Sequence, residues 1–291
     1  MIKQIPGRSC CLLLLLQLYM LFLLSGCSIK KIALGSIADA LDSGTGSSFA
    51  SDDDVDLIGQ ALPFGLKTME SLLKEVPEHK GLHLSLAKGF VLYAYAFVET
   101  KAENAKNTDF TEYRKLRLRA GRLYYRAYQY GLKGLALSDG KDVGLLYWTG
   151  AALAKWITVS KNDPSAIIRI SEAVEFMQRA LEIDSEYDNG AIHEFFVSYE
   201  CRQGIKGDTA KAMFHYRKAL KASQGKKASV YLTYIETFAI PNQNKKEFRQ
   251  YIHKILDFDI DKWPEYRLAN AITKQRAEFL LEKEEYLFLG E

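Results

Sequence analysis

Apolar residues recur every three or four positions through most of the chain, and charged residues fill the positions between them. This spacing is typical of amphipathic helices. No run of four or more residues alternates convincingly between apolar and polar side chains, so nothing indicates a β-sheet. The sequence therefore predicts an all-α protein. The predicted helices cover 62–75, 80–103, 110–137, 143–159, 165–183, 188–203, 208–222, 227–239, 244–256 and 265–285.

The most apolar of these helices lies in the stretch Gly144–Val159, which holds two of the three tryptophans and one charge, Lys155. A helix that is apolar on every side belongs in the protein interior, with other helices on both flanks. At the helix starts, Pro63 and Pro164 fit first-turn positions. The aspartates of the run 51–54 are suited to cap a helix.

Several helices share a small–large–small triplet at positions i, i+4 and i+7. The first three triplets are Ala120, Tyr124 and Ala127, then Ala173, Met177 and Ala180, then Ala212, Tyr216 and Ala219, and a bulkier version is Phe248, Ile252 and Ile255. Such triplets are typical of the second helix of a tetratricopeptide (TPR) repeat, where alanine permits close helix crossing. We predict a degenerate TPR-like helical repeat. A generic helical bundle that uses alanine for packing is the alternative.

The N-terminus has the order of a bacterial lipoprotein signal: a basic start, an apolar core and Leu24-Ser25-Gly26-Cys27. The apolar core is shorter than the roughly 20 residues that a membrane span prefers, which argues against the alternative of a transmembrane anchor. We therefore predict that residues 1–26 are cleaved and that Cys27 carries acyl chains that anchor the protein. Ser28 follows in place of the aspartate linked with inner-membrane retention, and this weakly favours the outer membrane.

The predicted domain order is a tether over residues 27–54, rich in glycine and serine, and a helical domain over 55–291.

The formal charge of the whole chain is +3. Removal of the signal with Lys3 and Arg8 lowers it to about +1, and so small a positive charge argues against nucleic-acid binding. Cys201 is the one cysteine beyond Cys27, so no disulfide framework is expected. We predict that Cys201 is a small buried hydrophobe.

No motif indicates an enzyme, a metal site or a cofactor. His79 and His83 have the i, i+4 spacing of metal ligands, but no carboxylate or thiol is placed nearby in sequence to complete a site. His193-Glu194 is followed by Val197 where a zinc protease needs a second histidine. We expect a non-enzymatic protein without a cofactor.

A ligand site is predicted around Lys155, which shares a helix face with Trp148. Lys88 has a similar Leu-Ala-Lys setting, Tyr124 begins a tyrosine-rich stretch, and Glu194 is a candidate partner for a buried lysine. A desolvated lysine beside aromatic rings can hold an organic anion. Alternatively, each lysine buries its alkyl stem and keeps its ammonium group in water.

A basic stripe runs along one predicted helix at spacings of 0, 4, 7 and 11. It consists of Lys115, Arg119, Arg122 and Arg126, opposite the first alanine triplet. A solvated helix face is one interpretation. A docking surface for an acidic protein is the sharper hypothesis, and contact with phosphate or lipid headgroups is a third.

Several segments together resemble the TRAP (tripartite ATP-independent periplasmic) transporter-associated TPR lipoproteins, the TatT family, over roughly residues 50–285. They are Ser51-Asp-Asp-Asp, Ala61-Leu-Pro-Phe-Gly-Leu-Lys67, Leu146-Tyr-Trp-Thr-Gly150, Gly190-Ala-Ile-His193 and Arg267-Leu-Ala-Asn270. The resemblance implies an all-helical periplasmic homotrimer with cryptic TPR motifs. It also implies pores or clefts that meet the substrate-binding protein of a TRAP transporter. Two other classes stay open: an envelope-assembly lipoprotein that binds only proteins, and a carrier that needs no dedicated partner.

Overall fold

The computed structural model describes residues 35–36, 48–201 and 207–289. The predicted signal, Cys27 and most of the predicted tether lie outside these residues. Within them the chain forms helices and no strand, so the all-α prediction is confirmed. The α-helices are α1 Val55–Glu75, α2 Lys80–Tyr93, α3 Thr100–Ala105, α4 Phe110–Ala136, α5 Val143–Val159, α6 Pro164–Ile167, α7 Ile170–Ile183, α8 Tyr187–Glu200, α9 Thr209–Ser223, α10 Ser229–Tyr234, α11 Lys245–Leu256, α12 Arg267–Glu282 and α13 Glu284–Leu287.

Three other helical turns join these elements. A π-helical turn, Ala94–Glu99, links α2 to α3, and a second, Ile235–Ala239, continues α10. A 3₁₀ turn, Pro264–Tyr266, precedes α12. The continuous run Lys80–Ala105 is apolar and long enough to cross a membrane by length and composition, but half of its most apolar window is buried inside the protein. That burial fits a helix of the protein core.

Helix starts differ from the prediction in one instructive case. Helix α1 begins at Val55, because the Asp54 side chain accepts a hydrogen bond from the Leu57 backbone N–H and caps it. Pro63 therefore lies inside α1, and its predicted first-turn position is wrong. Pro164 does occupy a first turn, with Asp163 as the cap. The predicted helix 165–183 is split into α6 and α7.

Helix α5 is the central helix, as its apolar sequence predicts. It packs against α2, α4 and α7. Small residues allow these close crossings: a Cβ on Gly150 would lie 3.1 Å from the Phe176 Cβ on α7. On α4, a Cβ on Gly131 would overlap with Thr149 of α5.

All four small–large–small triplets are buried at helix crossings, with exposed fractions of 5% or less. Ala120, Tyr124 and Ala127 are fully buried between α4 and its neighbours. Burial of this kind is expected for both a TPR-like repeat and a generic helical bundle. The repeat interpretation stays a prediction.

The two ends of the helical domain meet. Helix α12 packs against α1, and the Arg267 guanidinium lies 3.3 Å from the Asp53 carboxylate just before α1. Arg267 also pairs with Asp261 at 2.7 Å, which holds its side chain in place. The last long helix, α12, therefore returns to the first long helix, α1.

Candidate functional site: a polar lumen

Tyr95, in the first π-helical turn, has an unusual combination of properties. Its side chain is 38% exposed, and yet burial raises the pKa of its hydroxyl, with Glu236, Glu99 and Glu194 adding to the rise and Arg276 opposing it. These charged side chains come from Tyr95's own turn and from three other elements, α8, the second π-helical turn and α12. Tyr95 is therefore a partly exposed side chain on which charged groups of four helical elements act.

We call this group of side chains the lumen and define it by the residues that interact with Tyr95, with Tyr147 or with each other, Glu194 acting on both tyrosines. They are Tyr95, Glu99, Tyr147, Lys155, Asp188, Glu194, Lys227, Glu236 and Arg276. Both π-helical turns contribute, since Tyr95 and Glu99 lie in the first and Glu236 in the second. Such turns are rare and occur often at functional sites.

The first ion pair of the lumen joins α5 to the first π-helical turn. The Lys155 ammonium lies 2.9 Å from a Glu99 carboxylate oxygen. Tyr124 donates a hydrogen bond to the same carboxylate, and burial together with Glu99 holds the pKa of Tyr124 well above its usual value. The ammonium also lies 4.5 Å from the centre of the Tyr95 ring, a cation–π contact.

The second ion pair centres on Lys227, in the loop before α10. Its ammonium lies 2.9 Å from Glu194 and donates to the Asp188 carbonyl at 3.0 Å. Burial acts to lower the Lys227 pKa, but Glu194 and Asp188 outweigh it and the pKa is raised. Lys227 is therefore charged, and it binds α8 to the loop.

The start of α8 is distorted at this place. Asp188, Asn189 and Gly190 have φ values of 45°, 50° and 89°, in the left-handed region. Two of them carry side chains, and that conformation costs free energy in such residues. The Lys227 ammonium and the Tyr266 hydroxyl, which donates to Asp188 at 2.9 Å, hold this turn in place. Gly190 is required because a Cβ there would lie 3.0 Å from the Ala219 Cα.

The third ion pair links α12 to the second π-helical turn, where both Nε and Nη2 of Arg276 donate to Glu236 at 3.2 Å. The three cations of the lumen, Lys155, Lys227 and Arg276, are thus each paired with a carboxylate. The arrangement offers hydrogen-bond donors, acceptors and aromatic rings with little net charge. It suits a ligand that is polar but not strongly charged.

The predicted ligand residues fall into three groups. Lys155 and Tyr124 meet at Glu99, and Glu194 does pair with a buried lysine, which is Lys227. Trp148 instead lies against Lys88, with the ammonium 5.9 Å from the ring centre. Trp148 and Lys155 therefore have different charged partners, because a separation of seven residues places them two helical turns apart. Trp148 also packs edge-on against Tyr147 of the lumen, with ring centres 5.0 Å apart. The single ligand site stays a prediction.

Sequence reasoning missed Tyr95, Glu99, Lys227 and Arg276. No spacing within one helix marks them, because their partners lie on other elements. The available signal was weak: a charge in an apolar helix, such as Glu99, needs a partner when buried.

The predicted basic stripe lies on the exposed face of α4, opposite the buried triplet. Three of its members are engaged: Lys115 with Glu112 at 3.1 Å, Arg119 with the Tyr93 hydroxyl at 3.1 Å and Arg126 with Glu70 at 2.5 Å. Arg122 has no hydrogen-bond or ion-pair partner among the described residues. It borders a cleft of about 1070 Å³ that also exposes Phe110, Tyr125 and Trp156.

The candidate metal ligands have other roles. His79 caps α2 by accepting from the Leu82 backbone N–H, and the His83 Nε2 lies 2.9 Å from the Pro77 carbonyl oxygen. In the described part of the chain, no group of three or more histidine, cysteine or acidic side chains is placed to hold a metal. Cys201 is half-buried with a free thiol, and burial raises its pKa.

Comparison with known proteins decides the family. The family model of the TRAP transporter T-component matches residues 51–141 and 135–288, nearly all of the described chain. The chain belongs to this family. The chain is also 25% identical to an uncharacterized protein of Treponema pallidum (strain Nichols) over 296 residues, which cover 89% of this chain and 92% of that protein.

Membership confirms the resemblance stated from the sequence. A T-component is an accessory component of a TRAP transporter, so the protein belongs with that transporter at the cell envelope. The family is not a known enzyme family.

Proposed function

We propose that this protein is a lipid-anchored, non-enzymatic scaffold that docks the substrate-binding protein of a TRAP transporter and holds or relays a small ligand through its lumen. Family membership carries the proposal. The anchor would be Cys27, in the periplasm and with the outer membrane slightly favoured. Homotrimer formation belongs to the proposal because the family resemblance implies it.

The exposed stripe Lys115, Arg119, Arg122 and Arg126 is the docking surface in this proposal. Exposed like charges on one helix face steer an oppositely charged partner and fix its register. Arg122 is the best probe, since its guanidinium has no partner in the part of the chain that the structure describes. Replacing it removes no described contact within the protein.

The lumen supports the ligand part of the proposal. Its cations are matched by carboxylates, so an organic anion would have to displace Glu99 to reach Lys155. A ligand of small net charge avoids that cost, because it leaves all three ion pairs intact. The lumen ligand is thus expected to be polar or amphiphilic, and the hypothesis of an anion held by Lys155 becomes the weaker one.

The docking test compares two charge reversals. Affinity purification of the tagged protein from its own envelope should recover a TRAP-type substrate-binding protein, and Arg122→Glu should reduce that recovery at least tenfold, because one repulsive charge replaces an attractive one. Arg217→Glu is the matched control, since Arg217 is also exposed and without a described partner, but lies on α9. Equal recovery with both variants would move the interface away from α4. Recovery of envelope-assembly proteins alone would favour that alternative function.

A further inference from the structure

A second cleft, separate from the lumen, lies between α1, α2 and α4 and has a volume of about 620 Å³. Its apolar wall includes Leu73, Pro77 and Leu137. Four cationic side chains, Lys67, Lys74, Arg126 and Lys133, and one carboxylate, Glu70, border it as well. A cleft that combines an apolar wall with a few convergent polar groups has the usual composition of a small-molecule site.

The carboxylate in this cleft is fully engaged. Glu70 lies 2.5 Å from the Lys67 ammonium and 2.5 Å from the Arg126 guanidinium, and it accepts a hydrogen bond from the Tyr130 hydroxyl at 2.7 Å. Burial acts to raise the Glu70 pKa, but these three partners outweigh it and the pKa is lowered. Glu70 therefore orders Lys67 and Arg126 and leaves the other two cations uncompensated.

Lys74 and Lys133 are those two cations. Neither has an ion-pair partner within the ranges 48–201 and 207–289. Lys133 lies close enough to His83 for its charge to lower the pKa of that imidazole. The two lysines give the cleft an excess of positive charge, which attracts an anion.

His83 supplies an independent sign of a ligand. Its side chain borders the cleft and is only 3% exposed. The Nε2 donates to the Pro77 carbonyl oxygen at 2.9 Å, so in the neutral ring Nδ1 is an acceptor. That Nδ1 is buried and has no hydrogen-bond partner in the described structure. Buried acceptors are normally satisfied, so this one can accept from a donor that reaches it, and the residue that carries it lines the cleft.

We propose that this cleft binds a small carboxylate that also carries a hydroxyl group. The carboxylate lies between the ammonium groups of Lys74 and Lys133, and the hydroxyl donates to His83 Nδ1. The hydrocarbon part packs on Leu73, Pro77 and Leu137. Arg126 borders both this cleft and the basic stripe, but the proposed contacts of the ligand use Lys74, Lys133 and His83, none of which belongs to the stripe or the lumen. The ligand test therefore stands or fails separately from the proposed function.

Three probes of equal chain length separate the two polar contacts. Calorimetric titration of the full protein with 3-hydroxyoctanoate should show binding. Octanoate, which lacks the hydroxyl, should bind about tenfold more weakly or worse, because Nδ1 then stays buried without a donor. Octane-1,3-diol, which lacks the charge, should also bind at least tenfold more weakly.

Two further measurements assign the contacts to residues. Lys133→Met should weaken binding of both acids, whereas Lys101→Met, an exposed lysine on α3, should leave it unchanged. The ¹⁵N resonance of His83 Nδ1 should shift with 3-hydroxyoctanoate and stay in place with octanoate. Equal affinity for the two acids, unchanged affinity in Lys133→Met, or no binding at millimolar concentration would each overturn the proposal.

Discussion

Two histidines on neighbouring helices share one hydrogen bond. The Nδ1 atoms of His193 on α8 and His215 on α9 lie 2.9 Å apart, so one ring must donate and the other accept. Burial, aided by the charges of His215 and Lys218, lowers the pKa of His193 to about 4. Burial lowers the pKa of His215 as well. The pair is thus stable in its neutral form.

The histidine pair predicts a loss of stability in mild acid. The unfolded chain takes up protons near pH 6.5, but folded His193 resists them until about pH 4. The stability that neutral His193 adds to the folded state is therefore complete above pH 6.5 and is lost as the pH falls toward 4. Between pH 7.5 and 4.5 the free energy of unfolding should fall by about 2–3 kcal/mol from His193. Urea titrations at the two pH values measure this change.

The matched control for this titration is the exposed His253 on α11. His193→Phe should flatten the pH dependence, and His253→Phe should leave it as it is. A wild-type slope in His193→Phe would contradict the assignment.

Single residues also show how far sequence reasoning reaches. Lys155 is recognisable from sequence, because it is the one charge in an apolar helix. Its partner Glu99 is not recognisable, because it lies on another element, at the end of a π-helical turn that changes the helix phase. The unpaired lysines Lys74 and Lys133 carry no sequence signal either, since exposed lysines are common and only their shared cleft distinguishes them.

At the scale of helices, close approach between α4 and α5 depends on glycines of α4, Gly131 above all. A Cβ on Gly131 would overlap with the Thr149 Oγ1 of α5 and lie 3.1 Å from its Cα, and a Cβ on Gly134 would lie 2.5 Å from the Leu145 Cδ2. Gly131 lies inside α4, so it serves packing rather than a turn. The crossing brings Tyr124 of α4 and Lys155 of α5 to Glu99.

Gly131→Ala should therefore lower the free energy of unfolding by about 1–3 kcal/mol, because the helices must move apart. Gly65→Ala is the matched control, since Gly65 also lies inside a helix but a Cβ there has nothing within 4 Å. That control should raise the stability by about 0.5–1 kcal/mol, as alanine favours the helix. Urea unfolding of both variants measures the difference. If Gly131→Ala were as stable as Gly65→Ala, the two helices would be able to move apart without a loss of stability.

At the scale of the whole molecule, α12 contacts α1, so the last long helix returns to the first. We predict that the helices enclose the lumen, which should then admit small molecules and exclude large ones. In a chain whose other cysteines are replaced by serine, Tyr95→Cys should react with a small thiol reagent and at least tenfold more slowly with a bulky polymer-linked one. Mass spectrometry of the labelled protein measures both rates.

Phe64→Cys is the control for reagent size. Phe64 lies on the outer part of α1 and is 78% exposed, so a cysteine there should react readily with both reagents. If Tyr95→Cys showed no size preference, the space around it would be an open surface rather than a lumen.

The sequence by itself determined the helices, because apolar spacing and capping side chains such as Asp54 and Asp163 act within a few residues. It also determined that α5 is central, since a helix without a polar face must be covered on all sides. Only the tertiary structure decided where the ends meet and which charges pair. Glu236 with Arg276, and Asp53 with Arg267, come together through the summed crossing angles of many helices. No local pattern encodes that sum, so the lumen and its ion pairs are properties of the whole fold.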